Sequence, residues 1–224
     1  MSPILGYWKI RGLAQPIRLL LAYTETEFED KTFTTGPAPD YVAKSDWLPL
    51  KYNLNLDFPN LPYYLDGSIR ITQSNAILRY IARQHNMCGK TEEERVRVDM
   101  LENQAMDMRE AFAEVSYYTY HLPLQDTKKE EYLTDKLPST LNKLSDFLGD
   151  RLWFAGDQIT FPDFVIYELL FVNLQMDSSC LANTPNLCQF FKRFEELPTI
   201  KRYMASSRYI KTPINGPMAK FGGK

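Results

Sequence analysis

The spacing of apolar and polar positions along this chain changes near residue 90. Before that point, short apolar runs are interleaved with turn residues. Pro3–Trp8 reads as a strand, Gly12 opens a turn, and Gln15–Tyr23 carries Ile17, Leu20 and Leu21 at helical spacing. Phe28–Phe33 suits a second strand. Thr34–Asn60 is polar and proline-rich, with one turn of helix expected around Ser45–Tyr52. Two apolar segments, Leu61–Leu65 and Ile69–Thr72, then flank Asp66-Gly67, a pair that tolerates positive φ and predicts a hairpin turn. Pro62 cannot donate to a ladder, which points to an edge strand or to a bend held by a cis Leu61–Pro62 bond. Ser74 is expected to cap the next helix, which carries Ile77, Leu78 and Ile81 on one stripe and ends near Arg83. Polar groups at such a strand-to-helix junction suit a small anionic peptide. The order β-α-β followed by β-β-α predicts a small α/β, thioredoxin-like unit.

After residue 90 the pattern is helical throughout. Thr91-Glu92-Glu93-Glu94 has the form of a capping box. It opens a long helix from Glu92 to about Tyr120, with Met100, Leu101, Gln104 and Met108 on one stripe. Further helices are expected over Lys128–Gly149, Phe161–Gln175, Pro185–Leu197 and Pro198–Ala205. Thr160 and Asp163 form a second reciprocal cap, with Ile159 and Phe164 as its hydrophobic staple. The chain therefore divides into an α/β domain over residues 1–83, a linker over 84–90 containing Cys88 and Gly89, and an all-α domain over 91–224.

Composition narrows the function classes. A formal charge of −2 over 224 residues gives no electrostatic case for nucleic acid or an anionic membrane. Hydrophobic content of 44% is that of an ordinary globular protein. Cys88, Cys180 and Cys188 make no CxxC and cannot all pair, so reduced thiols in the cytoplasm are expected. The amino terminus lacks the pattern of a signal peptide. The most apolar later stretch, Phe164–Leu174, contains Glu168 and is too short to span a bilayer. His85 and His121 lack metal-ligand spacing, and no nucleophilic triad is evident.

Several segments together resemble one family. Ile4-Leu-Gly-Tyr-Trp-Lys-Ile-Arg-Gly-Leu-Ala, Ala38-Pro-Asp-Tyr and Leu56-Asp-Phe-Pro-Asn-Leu-Pro-Tyr-Tyr are three of them. The others are Ile71-Thr-Gln-Ser-Asn-Ala-Ile-Leu-Arg-Tyr-Ile, Leu101-Glu-Asn-Gln-Ala-Met-Asp and Trp153-Phe-Ala-Gly-Asp-Gln-Ile-Thr-Phe. The chain resembles the cytosolic glutathione transferases, and within them the mu class. The resemblance implies a homodimer that adds the thiol of glutathione, a co-substrate rather than a cofactor, to hydrophobic electrophiles. It gives Tyr7 the role of hydroxyl donor to the glutathione sulfur, with Trp8 and Leu13 beside it. Trp47 and Lys51 would hold the glycine carboxylate, and Asn60 with the Leu61 backbone would pair with the cysteinyl part. Gln73 and Ser74 would hold the γ-glutamyl end, with Asp107 arriving from the partner subunit. Tyr117 would face the electrophile, in a pocket bordered by Arg109. Phe58 resembles an aromatic key inserted into the partner, and Arg79, Arg83, Glu92 and Asp99 resemble a charged dimer seam. This chain has one residue more than commoner mu sequences between Tyr41 and Trp47, Lys44 stands where arginine is common, and the tail from Lys220 to Lys224 differs.

The implied chemistry is physically coherent. A thiol of ordinary pKa, about 8.5, is only a few per cent ionised at neutral pH. A hydrogen bond to a charged acceptor is worth about 1.5–3 kcal/mol, enough to lower that pKa by roughly one to two units. A phenol supplies the bond while keeping its own proton at neutral pH. Two rival readings share the fold: a ligand-carrying or structural protein with little turnover, and an isomerase or peroxidase using the same activated thiol. Without the resemblance, Tyr7 and Trp8 would be aromatic core at a strand end, and Tyr117, among Tyr118 and Tyr120, a packing residue.

Overall fold

The computed structural model describes residues 2–117 and 125–223. Strand β1 (Ile4–Trp8) leads through a turn into α1 (Gln15–Tyr23) and then β2 (Glu29–Phe33), which lies parallel to β1. Residues 34–62 contain turns and bends but no helix, so the turn expected around Ser45–Tyr52 does not form a helical element. Strands β3 (Tyr63–Asp66) and β4 (Ile69–Thr72) make the expected hairpin, and Gly67 takes φ +57° at its tip. The sheet order is β2-β1-β3-β4, with β1 antiparallel to β3. Pro62 thus precedes an interior strand, and the Leu61–Pro62 bond is cis.

Helix α2 runs over Ser74–Gln84. The expectation that Ser74 caps it is corrected by one residue. Gln73 takes φ +72° and ψ 114°, a non-helical conformation, so Gln73 occupies the cap position and Ser74 is the first helical residue. The helix α3 (Glu92–Tyr117) begins with the box read from sequence: Glu94 N–H donates to Thr91 Oγ1 at 3.2 Å, and Thr91 N–H to Glu94 Oε2 at 3.3 Å. The expected continuation to Tyr120, with Tyr118 and His121, lies outside the described residues.

The helical segment expected over Lys128–Gly149 is present: α4 (Gln125–Glu131) passes without a break through a π-helical turn (Tyr132–Lys136) into α5 (Leu137–Leu148). The Tyr132 hydroxyl is drawn inward to donate to Asn173 Oδ1 at 2.8 Å. Helices α6 (Phe161–Met176), α7 (Pro185–Glu195) and α8 (Pro198–Met204) complete the helical part. Helix α6 is buried on every side over its first ten residues. Its start is fixed by Asp163, whose Oδ2 accepts the Thr160 N–H at 2.8 Å and whose Oδ1 accepts the Phe154 N–H at 3.0 Å.

The two parts share a core. Helix α1 packs against α2, α6 and α8, and the Tyr23 ring meets Phe164 of α6 edge-on at 5.5 Å. No helix among the described residues is long and apolar enough to cross a membrane.

Candidate functional site

Tyr7 lies near the end of β1, beside Thr32 in the parallel register, and its ring is buried. The chain then reverses through Lys9–Leu13. The Leu13 N–H donates to the Tyr7 hydroxyl oxygen at 3.1 Å, leaving the phenolic proton to be donated elsewhere. Gly12 makes this possible. It adopts φ +46°, and a methyl group on it would sit 2.6 Å from the Tyr7 hydroxyl oxygen.

The turn is held from outside. Arg11 and Gly12 donate their backbone N–H groups to the carbonyls of Pro213 and Ile214 at 2.9 and 3.0 Å. The Arg18 guanidinium grips the Ile10 carbonyl at 2.8 Å. The Arg11 side chain is fully buried. It meets both carboxylate oxygens of Glu168 at 2.8 and 2.5 Å, and also the Tyr209 hydroxyl and Ile210 carbonyl, each at 2.8 Å. Its guanidinium lies 3.9 Å from the centre of the Phe171 ring. Burial alone would lower the Arg11 pKa, but the Glu168 carboxylate and then the Tyr209 hydroxyl outweigh it, so the guanidinium is held above its ordinary range.

Tyr7 opens onto a cavity of about 390 Å³. Trp8, Thr34 and Tyr41 line it from the α/β side, Tyr117 from the end of α3, and Gly216 and Met218 from the C-terminal segment. The Gly216 N–H donates to the Tyr117 hydroxyl oxygen at 2.7 Å. Val42 and Met218, both about half exposed, are apolar groups of the same lining. Tyr7, Trp8 and Tyr117, given their roles by the family resemblance, line one cavity.

The other anticipated residues do not line this cavity, although the Leu13 N–H reaches the Tyr7 hydroxyl. Leu13, Ser74 and Arg109 line a narrow crevice between α1, α2 and α3, so Arg109 faces Ser74 and Glu168 rather than the Tyr7 cavity. Gln73 is exposed at the mouth of α2, where the first backbone N–H groups lack helical partners. Asn60 Oδ1 accepts the Leu61 N–H at 2.9 Å. Trp47 is buried, its ring stacked on Tyr63 with centroids 5.7 Å apart, and the Lys51 ammonium lies 5.4 Å from the Tyr52 ring. Lys44 pairs with Asp40 at 2.7 Å. Asp107 is exposed on α3, beside a small cleft lined by Met108 and Tyr132. Among the interface candidates, Phe58 is 72% exposed. Arg79 is paired within the chain to Glu102 and, at 3.5 Å, to Asp99, whereas Arg83 and Glu92 are exposed.

Residues 3–83 match the family described as "Glutathione S-transferase, N-terminal domain", and residues 106–207 match "Glutathione S-transferase, C-terminal domain". Full-length relatives agree. The chain is 53% identical over 223 residues to "Glutathione S-transferase Mu 3" of Homo sapiens, covering 100% of this chain and 96% of that one. It is 54% identical over 224 residues to "Glutathione S-transferase Mu 2" of Mus musculus, covering 100% of both. This chain belongs to the mu class of the glutathione S-transferases.

Solved structures carry the same fold. The glutathione S-transferase Blo t 8 aligns with a TM-score of 0.88 at 33% identity, covering 98% of this chain and 99% of that one. The pi-class glutathione S-transferase of Onchocerca volvulus aligns with a TM-score of 0.82 at 32% identity, covering 98% of this chain and 100% of that one. Within this glutathione S-transferase, sequence reasoning missed Arg11 and the cavity wall made by Tyr41, Val42 and residues 213–218. Glu168 carried a signal, being the one acid in the apolar stretch Phe164–Leu174, but nothing local named its partner. Among the described residues no cluster of His, Cys, Asp or Glu is arranged to hold a metal ion.

Proposed function

We propose that this mu-class protein adds the thiol of reduced glutathione to hydrophobic electrophiles. One observation carries the reading: the Tyr7 hydroxyl accepts the Leu13 N–H and faces a cavity that also holds Tyr117. Because its oxygen is already bonded, the phenolic proton is aimed outward, toward a sulfur placed in the cavity. Donation to the thiolate favours the ionised form, and one to two units of pKa lowering would leave half or more of the bound thiol ionised near neutral pH. Tyr7 then stabilises the nucleophile and removes no proton itself.

The tripeptide would lie along the strand-to-helix junction. Its γ-glutamyl carboxylate fits the unpaired N–H groups at Gln73 and Ser74, where the α2 dipole favours an anion. Lys51 and the Trp47 indole would take the glycine carboxylate, and Asp107 of the second subunit the amine. The Leu61 N–H is the donor for the cysteinyl carbonyl. To offer it, the Asn60 carboxamide must first let go. Tyr117 would hydrogen-bond an electrophile oxygen on which charge develops, as in epoxide opening or Michael addition.

A homodimer follows from the same reading. The exposed Phe58 ring needs an apolar socket, and Met100, Leu101, Leu144 and Phe147 line one of about 220 Å³ between α3 and α5. Arg83 and Glu92 are exposed, though bonded within the chain to the Arg79 carbonyl and to Arg95, and would contribute to a charged seam; the protein would work in the cytoplasm. The test is conjugation of an aryl halide together with ultraviolet titration of the bound thiol. Conjugation with a thiol pKa well below that of free glutathione is expected; a bound thiol that ionises no more readily than the free one would defeat the reading.

A further inference from the structure

We infer that the buried Arg11–Glu168 ion pair is a positioning device that aims the Tyr7 hydroxyl at the glutathione sulfur. The inference rests on the conjugating role proposed above and deepens it. Tyr7 sees the rest of the protein through the Lys9–Leu13 turn, because its oxygen accepts the Leu13 N–H and its ring abuts Gly12. The residue before Gly12 is Arg11, and all of its side-chain bonds go to the helical part or the C-terminal segment. Glu168 on α6 takes the fork from Nε and Nη2, while the Tyr209 hydroxyl and the Ile210 carbonyl both take Nη1.

A fork-to-carboxylate pair fixes orientation as well as distance, which a single hydrogen bond or a lysine would not. The Phe171 and Tyr209 rings lie 3.9 and 5.1 Å from the guanidinium carbon and leave it no room to swing. The backbone N–H groups of Arg11 and Gly12 add bonds to Pro213 and Ile214, so the turn is sewn to the C-terminal segment on both sides of one Cα. The only other charged side chain lining the crevice beside Glu168 is Arg109 on α3. The hydrogen bonds of this pair go to none of the proposed tripeptide groups, although Glu168 lines the same crevice as Ser74. Its effect on chemistry therefore runs through the direction and strength of the Leu13 N–H bond. A phenol whose oxygen accepts a good hydrogen bond is a better donor of its own proton.

The test is Glu168→Gln, which keeps the side-chain volume and removes the charge. KM for glutathione should stay within about threefold of the parent, because the binding contacts are untouched. The bound thiol's pKa should rise by about one unit, so that kcat/KM near neutral pH falls about tenfold and recovers in alkali. Glu168→Asp, which restores the charge on a shorter arm, should recover part of the shift. A role confined to stability would lower Tm and leave the pH profile where it was, and superimposable profiles would overturn the inference. Should Glu168→Gln fail to fold, Tyr209→Phe removes a single bond to Arg11 and leaves the ion pair. It should shift the profile in the same direction by less, and an unmoved profile there would overturn the inference equally. The parent protein in the same titration separates the two levels. A parent thiol that stays protonated defeats the conjugating role itself, whereas a variant that ionises as readily as the parent defeats only the positioning.

Discussion

Gly216 in the C-terminal segment donates its N–H to the Tyr117 hydroxyl oxygen at 2.7 Å, joining two walls of the cavity at the point where an electrophile would sit. Tyr117→Phe removes that bond and any bond to the substrate. Turnover of an epoxide or an enone, on whose oxygen charge builds up, should fall about tenfold relative to an aryl halide. The measurement is the ratio of the two kcat values. An unchanged ratio would leave Tyr117 with a packing role alone.

Tyr7→Phe should remove the hydrogen bond proposed to the sulfur while preserving the buried ring near the end of β1. A bond to a charged acceptor is worth about 1.5–3 kcal/mol, so kcat should drop about 10- to 100-fold. Glutathione affinity, carried by distant groups, should change little in a calorimetric titration. Full turnover in the variant would take Tyr7 out of the mechanism.

Gly12→Ala is expected to damage activity more than its size suggests. The backbone is at φ +46°, where a side chain costs about 1–2 kcal/mol. The new methyl would also lie 2.6 Å from the Tyr7 hydroxyl oxygen and push the ring aside. Thermal unfolding should show the modest loss of stability, and the pH profile should show an upward shift of the bound thiol. A variant that is merely less stable, with normal thiol ionisation, would refute the close-approach argument.

Asp163 is expected to control stability and its pH dependence. Burial pushes its pKa up from 3.8 to about 6, against the donors at Phe154 and Thr160 that favour the carboxylate. The folded form therefore binds a proton more readily than the unfolded chain. Its contribution is fully present below about pH 4 and lost as pH rises through about 6, by up to about 3 kcal/mol. Denaturant unfolding of the parent minus Asp163→Asn should fall across that window. Asp163→Ala should cost about 2–4 kcal/mol, more than a cap alone, because the Phe154 N–H is left buried without a partner.

Phe58→Ala addresses the proposed dimer. Burying one such ring is worth about 1.5–3 kcal/mol, and a two-fold interface would bury two, so the dissociation constant should rise at least a hundredfold. Sedimentation at micromolar concentration should then show monomer. An unaltered association state would remove Phe58 from the interface.

Much of the fold was legible because its determinants are local. The Asp66-Gly67 turn, the caps at Thr91 and Thr160, and the apolar stripe of Ile77, Leu78 and Ile81 each lie within a few residues of what they specify. The start of α2 was missed by one residue because Gln73 takes a left-handed φ that only its surroundings impose. The π-helical turn at Tyr132–Lys136 carries Tyr132, whose hydroxyl donates to Asn173, 41 residues away. The helical pattern was right on both sides of it and silent between. Tyr7, Trp8 and Tyr117 were found at the cavity through resemblance to a family, not through periodicity. Arg11 and Glu168 are separated by 157 positions, and the segment around Pro213–Gly216 has no apolar period at all. It is bonded to the Lys9–Leu13 turn, about two hundred residues earlier, a pairing that no window of sequence contains.

The acceptors that hold Arg11 lie as far as 199 residues downstream of it. A growing chain therefore carries the phenol long before it carries the segment that braces it. Until that later segment docks, the Lys9–Leu13 turn lacks the backbone bonds to Pro213 and Ile214 that hold it beside Tyr7.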